Sequence, residues 1–153
     1  MTELKRILLV EDSANDVALS LAALEEIQLA NEVVVVRDGQ QALDFLRKKG
    51  EYAHRTDGNP AVVLLDLKLP KVDGIEVLSQ VKGDAELKSI PIVMLTSSRE
   101  ERDLARSYGL GVNAYVVKPV AFPDFVSALK ELGLFWAVVN QPPPGSLTRS
   151  GGR

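Results

Sequence analysis

Four runs of consecutive apolar residues constrain this chain more than any other feature: Ile7-Leu8-Leu9-Val10, Ala61-Val62-Val63-Leu64-Leu65, Ile92-Val93-Met94-Leu95 and Ala114-Tyr115-Val116-Val117. Short unbroken runs of this kind suit strands buried on both faces, as in a parallel sheet covered by helices. Each run stops at polar or ionisable residues, namely Glu11-Asp12, Asp66, Thr96 and Lys118-Pro119. If the strands are parallel, those four ends meet at one edge. Asp66 is the most informative of them, because the breaker segment Leu69-Pro70-Lys71-Val72-Asp73-Gly74 follows it. The expectation is a carboxylate held at the mouth of the sheet rather than inside it.

Between the runs lie segments of helical character. Residues 15–29 carry Val17, Leu21, Leu24 and Gln28 at helical spacing, with Asp12 or Ser13 as the cap. Residues 32–37 are dense in valine and read as a further strand; Asp38-Gly39 then turns the chain into a helix over residues 40–49, stopped by Gly50. Residues 51–60 read as a polar loop of variable shape, with the lone His54 solvated. Asp73-Gly74 opens a helix carrying Ile75, Leu78 and Val81, and Ser98 opens one that is nearly all charged, with little to bury beyond Leu104, Ala105 and Tyr108. Phe122-Pro123-Asp124 starts the last helix, where the missing N–H of proline costs nothing. Five strands alternating with five helices predict an α/β fold, a doubly wound parallel sheet with right-handed crossovers. Ligands of such sheets bind beyond the carboxyl ends of the strands.

At 153 residues the chain suits one domain with a tail. A net charge of −3, with both signs interspersed, supplies neither a basic stripe for nucleic acid nor a polybasic membrane patch. The N-terminal residues run into a strand-like segment without a signal-peptide core, and there is no long apolar span, so a cytoplasmic protein is expected. Zero cysteine excludes disulfides and thiol chemistry.

Singly, the strand-end residues have ordinary roles: Asp12 as a helix cap, Asp66 as a turn former, Thr96 as a β-branched strand closer, Lys118 as a solvated charge. Their coincidence at one edge is what points to chemistry. Three carboxylates at close range repel one another, so Glu11, Asp12 and Asp66 need a cation or partial protonation. Magnesium suits an all-oxygen set, using one or two carboxylates, several waters and a phosphate oxygen. A carboxylate beside such a cation can attack phosphorus to give an acyl phosphate. Lys118 would pair with the new phosphoryl oxygens, and the hydroxyl of Thr96 would report their arrival.

Over most of its length, from about Leu4 to Leu132, the sequence resembles the receiver domain of two-component response regulators. Glu11 and Asp12 match the acidic metal-binding pair, Asp66 the phospho-acceptor, Thr96 the switch hydroxyl, Lys118 the essential lysine and Tyr115 the switch aromatic. Pro119 follows Lys118 as in the family, where that peptide bond is commonly cis. The segment from Asp66 to Gly74 looks like the acceptor loop, and the resemblance implies that the backbone carbonyl of Lys68 also binds magnesium. It implies a flavodoxin-like sheet of order 2-1-3-4-5. It also implies a phosphorelay in which a sensor histidine kinase presents a phosphohistidine and Asp66 accepts the group. Thr96 and Tyr115 then move, and up to about two added negative charges bias the surface of the last strands and helices. Such a protein is not an enzyme in the ordinary sense but a phospho-acceptor that promotes its own phosphorylation and dephosphorylation.

In the last helix Phe125, Leu129, Leu132, Trp136 and Val139 form one apolar stripe that continues past Gly133. Leu134, Phe135 and Val138 add a second apolar surface beyond the reach of one receiver core, which suggests a partner. The division expected is a receiver domain over residues 1–133 and a helix extension with a proline-rich, disordered arm over residues 134–153. Leu132-Gly133-Leu134-Phe135-Trp136 followed by Asn140 and prolines looks like the stand-alone regulators associated with bacterial and cyanobacterial phytochromes, which implies a phytochrome-type kinase as partner and a homodimer through Leu134, Phe135, Trp136 and Val138. With no effector-sized segment after Leu132, output is expected to pass through another protein, reverse phosphotransfer or the dimer.

Three rival readings compete with this one. A haloacid dehalogenase-type phosphatase would carry a second Asp two residues after its nucleophile, and here Lys68 stands there. A flavin-binding flavodoxin needs a hydroxyl-rich phosphate loop after the first strand, where Glu11-Asp12 would repel phosphate. An interaction module with an idle site is the remaining alternative.

Overall fold

The computed structural model describes residues 6–29, 32–96, 109, 111–112, 114–117 and 122–131, and at positions 96, 114, 115 and 117 the backbone alone. Five parallel strands, β1 (Ile7–Val10), β2 (Val33–Val36), β3 (Val62–Asp66), β4 (Ile92–Thr96) and β5 (Ala114–Val117), form one sheet in the order β2-β1-β3-β4-β5. The helices are α1 (Ala14–Glu26), α2 (Gly39–Arg47), α3 (Gly74–Lys82) and α4 (Phe122–Glu131), with a short 3-10 turn over Gly50–Tyr52. The charged helix expected from Ser98 lies outside the described residues.

Why the apolar runs are unbroken is visible in the packing. Successive side chains of a strand point to opposite faces. Ile7, Leu9, Val62, Leu64, Val93 and Leu95 join Val17 and Leu24 of α1 and Phe125 and Leu129 of α4. Leu8, Val10, Val63, Leu65, Ile92 and Met94 join α2 and α3 through Leu43, Leu46, Val77, Leu78 and Val81. Both faces are therefore core, and all four residues of β1 are fully buried. Truncating one such residue, Leu64→Ala for example, costs about 2–5 kcal/mol. The sheet order reverses between β1 and β3, so the two strands that end in Glu11-Asp12 and Asp66 flank the switch point, where the crevice of a doubly wound sheet opens.

Three helices start on side-chain caps. Ser13 Oγ accepts from the Asp16 N–H at 3.2 Å, Asp38 Oδ1 from Gln41 N–H at 2.7 Å, and Asp73 Oδ1 from Glu76 N–H at 2.9 Å. Each contributes about 1 kcal/mol. The helix ends differ from expectation. α1 closes at Glu26, not residue 29, because Gln28 takes φ 65° and the N–H groups of Gln28 and Leu29 return to the carbonyls of Glu25 and Leu24. That turn drops Leu29 back into the core, 2% exposed, while Gln28 leaves the apolar stripe and is exposed. α2 is stopped by Lys48 at φ 58°, not by Gly50, with the Lys49 N–H returning to Asp44 at 2.9 Å.

Residues 51–60 are also not a loose loop. The Arg55 guanidinium stacks over the Phe45 ring, its Cζ 3.9 Å from the centroid, and donates to the carbonyls of Phe45 and Gly58 and to Asp57 Oδ1. The Tyr52 ring meets Phe45 edge-on at 5.2 Å. One arginine thus ties the segment to α2, while His54 is exposed as expected.

Candidate functional site

β1 delivers Glu11 and Asp12 to the switch point in unlike environments. The Glu11 N–H donates to the Val36 carbonyl at 3.0 Å, extending the β1–β2 ladder by one residue, and Glu11 Oε2 accepts from the Ser13 N–H at 3.3 Å. Glu11 is fully buried; Asp12 is exposed. β3 delivers Asp66, in register with Leu95 of β4. The expectation of a carboxylate at an open mouth needs correction, since Asp66 is only 8% exposed. The ladder explains this: the Leu67 N–H still bonds to the Leu95 carbonyl at 3.2 Å, so pairing continues past the acid. α3 also starts directly over it. A Cβ at Gly74 would lie 2.3 Å from the Asp66 carbonyl oxygen, and the Gly74 N–H donates to Leu67 O at 2.9 Å.

One carboxylate oxygen from each of Glu11, Asp12 and Asp66 can be chosen so that all three lie within 4.8 Å of one another. A cleft of about 510 Å³ adjoins Asp12 and is lined by Leu67, Lys68, Leu69, Pro70, Asp73 and Ile75. Two acids are buried and one opens to solvent, all donors are oxygen, and neither His nor Cys takes part. That chemistry fits a hard divalent cation that keeps part of its coordination sphere for water or an incoming oxygen. It does not suit a closed structural zinc site. Charge also favours a cation, since three like charges this close repel strongly.

The structure thus brings together Glu11, Asp12 and Asp66, with Lys68 two residues along on the cleft wall. Thr96 is the final residue of β4, paired with Val117, and Tyr115 pairs with Met94; both backbones are on the two strands beyond β3. The side chains of Thr96 and Tyr115, residues Lys118 and Pro119, and the tail positions Leu134, Phe135, Trp136 and Val138 lie outside the described residues. As a helix opener, Gly74 gives no hint in the sequence of its close approach to the Asp66 peptide.

Comparison with known proteins agrees with this geometry. The response regulator receiver domain family matches residues 7–130. The bacteriophytochrome response regulator RtBRR superposes with a TM-score of 0.81 at 64% identity, over 94% of this chain and 87% of that one. The response regulator Rcp1 of Synechocystis is 42% identical over 86% of this chain and 88% of its own length, and its Mn²⁺-bound structure superposes with a TM-score of 0.72 over 91% and 99% of the two chains. A probable methanogenesis regulatory protein of Methanothrix harundinacea, FilR2, is 42% identical over 90% of this chain and 86% of its own. With the parallel sheet in the order β2-β1-β3-β4-β5 and its acids at the switch point, the chain belongs to the response regulator receiver domain family.

Proposed function

We propose that this chain is a single-domain response regulator that accepts a phosphoryl group on Asp66 from a sensor histidine kinase of the phytochrome type. The observation that carries this is the grouping of Glu11, Asp12 and Asp66 within 4.8 Å at the switch point. The likeness to the bacteriophytochrome response regulator RtBRR supports the phytochrome assignment.

A bound Mg²⁺ would neutralise the acids and the phosphoryl oxygens, held by Glu11, Asp12, Asp66 and the Lys68 carbonyl. Asp66 aims one carboxylate oxygen at phosphorus; a P–O bond forms and the P–N bond to the donor histidine breaks. The leaving imidazole keeps that electron pair and takes a proton from solvent. The chain's own contribution is positioning, because burial between β1, β4 and α3 holds the Asp66 carboxylate in one place. Thr96 and Lys118 bind the new phosphoryl oxygens, and Tyr115 follows inward. Residues 1–133 form the receiver, and residues 134–153 an arm through which two copies pair. The protein acts in the cytoplasm on protein partners, not on nucleic acid or membrane, and modifies itself rather than turning over a substrate.

The test is intact mass after incubation with Mg²⁺ and a small phosphodonor such as phosphoramidate. The wild type gains one phosphoryl group, and Asp66→Asn gains none. No adduct under conditions that label another receiver overturns the reading. Transfer from an autophosphorylated bacteriophytochrome should be faster than from an unrelated histidine kinase; equal rates would remove the phytochrome assignment and leave the receiver function standing.

A further inference from the structure

The loop after Asp66 rests on the start of α2, where two backbones meet with no side chain between them. A Cβ at Gly39 would lie 1.8 Å from the Val72 carbonyl oxygen and 2.6 Å from its carbon, so only glycine fits. The Gly39 N–H points at the Pro70 carbonyl at 3.5 Å. Beside it Asp38, 6% exposed, uses both oxygens: Oδ1 caps α2, and Oδ2 lies 3.6 Å from Lys71 Nζ. Lys71 itself has φ 67°, a left-handed conformation that only surrounding contacts maintain in a residue other than glycine. At the other end of the loop the Gly74 N–H closes onto Leu67 O. Residues 70–72 are therefore seated on α2 and residue 74 on β3. Between the end of β3 at Asp66 and the seat of residues 70–72 run residues 67–69, which line the cleft beside Asp12.

We propose that Asp38 and Gly39 are positioning residues for the divalent cation. By seating residues 70–72 on α2 they fix the span 67–69, and with it the Lys68 carbonyl, against Glu11, Asp12 and Asp66. An N-cap alone would need only one Asp38 oxygen, and a helix start alone would tolerate alanine. The second oxygen on Lys71 and the backbone contact at Val72 are what tie these residues to the loop. The inference rests on the reading of the three acids as a metal site.

The experiment uses the full chain, titrated with Mg²⁺ by calorimetry, and phosphoramidate labelling followed as a function of Mg²⁺ concentration. Gly39→Ala and Asp38→Ala should each weaken Mg²⁺ binding about 10-fold, the scale on which groups supporting a metal ligand act. Asp38→Asn, whose amide oxygen still accepts from Gln41 while its NH2 cannot pair with Lys71, should weaken it nearly as much as Asp38→Ala. The Mg²⁺ concentration for half-maximal labelling should rise by the same factor, and the labelling rate at saturating Mg²⁺ should return to that of the wild type. A merely structural role would lower the melting temperature and the saturating rate and leave the Mg²⁺ midpoint in place, and that result overturns the proposal. If Gly39→Ala does not fold, the two Asp38 variants decide: unchanged affinity in both overturns it. A wild-type chain that takes up no Mg²⁺ would instead remove the metal-site reading beneath it.

Discussion

The Glu11 N–H donates to the Val36 carbonyl one residue beyond the last register pair of β1 and β2, and this makes the two adjacent acids unequal. Glu11 is built into the sheet end and also accepts from the Ser13 N–H, whereas Asp12 is exposed. Asp12→Asn should therefore fold normally and bind Mg²⁺ about 10- to 100-fold more weakly. In EDTA its melting temperature should equal or exceed that of the wild type, because one of three mutually repelling charges is gone. Glu11→Ala should lose about 1–3 kcal/mol even in EDTA, since it leaves the Ser13 N–H without its carboxylate and opens space in a sealed site. Melting both variants with and without Mg²⁺ separates the two roles; equal behaviour would contradict the asymmetry.

Two helices end on left-handed residues that are not glycine. Gln28 and Lys48 have φ 65° and 58°, and both close a turn whose carbonyls are satisfied by the following N–H groups. The left-handed conformation costs a residue with a Cβ about 1–2 kcal/mol, offset in part by the greater chain entropy glycine loses on folding. Gln28→Gly and Lys48→Gly should each stabilise by about 0.5–1 kcal/mol. Urea unfolding of the two variants and the double variant should show additive shifts in midpoint at constant slope.

Arg55 carries the polar tie between residues 51–60 and α2, beside the ring contact of Tyr52 with Phe45, and its side chain is only 10% exposed. Arg55→Ala removes the stacking on Phe45 and strips the carbonyls of Phe45 and Gly58 of a charged donor. The expected loss is about 1–3 kcal/mol in urea unfolding. Arg55→Lys should recover less than half of it, because an ammonium reproduces neither the planar stack nor the fork of donors. Full recovery by lysine would show that charge alone matters here.

Burial, with added repulsion from Glu51, Asp38 and Asp44, raises the Tyr52 phenol above its ordinary value of 10.0. A folded-state value above the unfolded one means that the native form holds this proton more tightly. The resulting stability is fully present below about pH 10 and is lost as pH rises through the folded value. Unfolding free energy measured between pH 8 and 11 should fall less steeply in Tyr52→Phe than in the wild type. Identical slopes would mean that the phenol ionises alike in both states.

The sheet and the acidic cluster were legible from sequence for a physical reason. Strands buried on both faces admit no polar residue, so Glu11, Asp12 and Asp66 could stand only where the runs end. The helix stops were not legible, because Gln28 and Lys48 carry no glycine signal and only the return of Leu29 to the core dictates the first. Arg55 hid in a polar segment, since its role depends on the ring of Phe45 ten residues away. Asp38-Gly39 read as a turn because the loop that needs the missing side chain comes from residues 70–72, a contact that only the packed fold creates.

The apolar stripe of α4 leads to the final prediction. Phe125 and Leu129 are fully buried against α1 and the sheet, and Leu132, Trp136 and Val139 continue their spacing beyond the described residues and beyond the family match, which ends at residue 130. The proposed pairing of two copies through residues 134–153 rests on that continued spacing in the sequence, with Leu134, Phe135 and Val138 beside it. Removing residues 134–153 should leave Mg²⁺-dependent labelling of Asp66 at the wild-type rate while lowering the sedimentation mass from dimer to monomer. Phe135→Ala with Trp136→Ala should act in the same direction, because aromatic anchors carry a large share of interface energy. An unchanged oligomer in both proteins would reject the arm as the pairing element and move the interface onto the receiver itself.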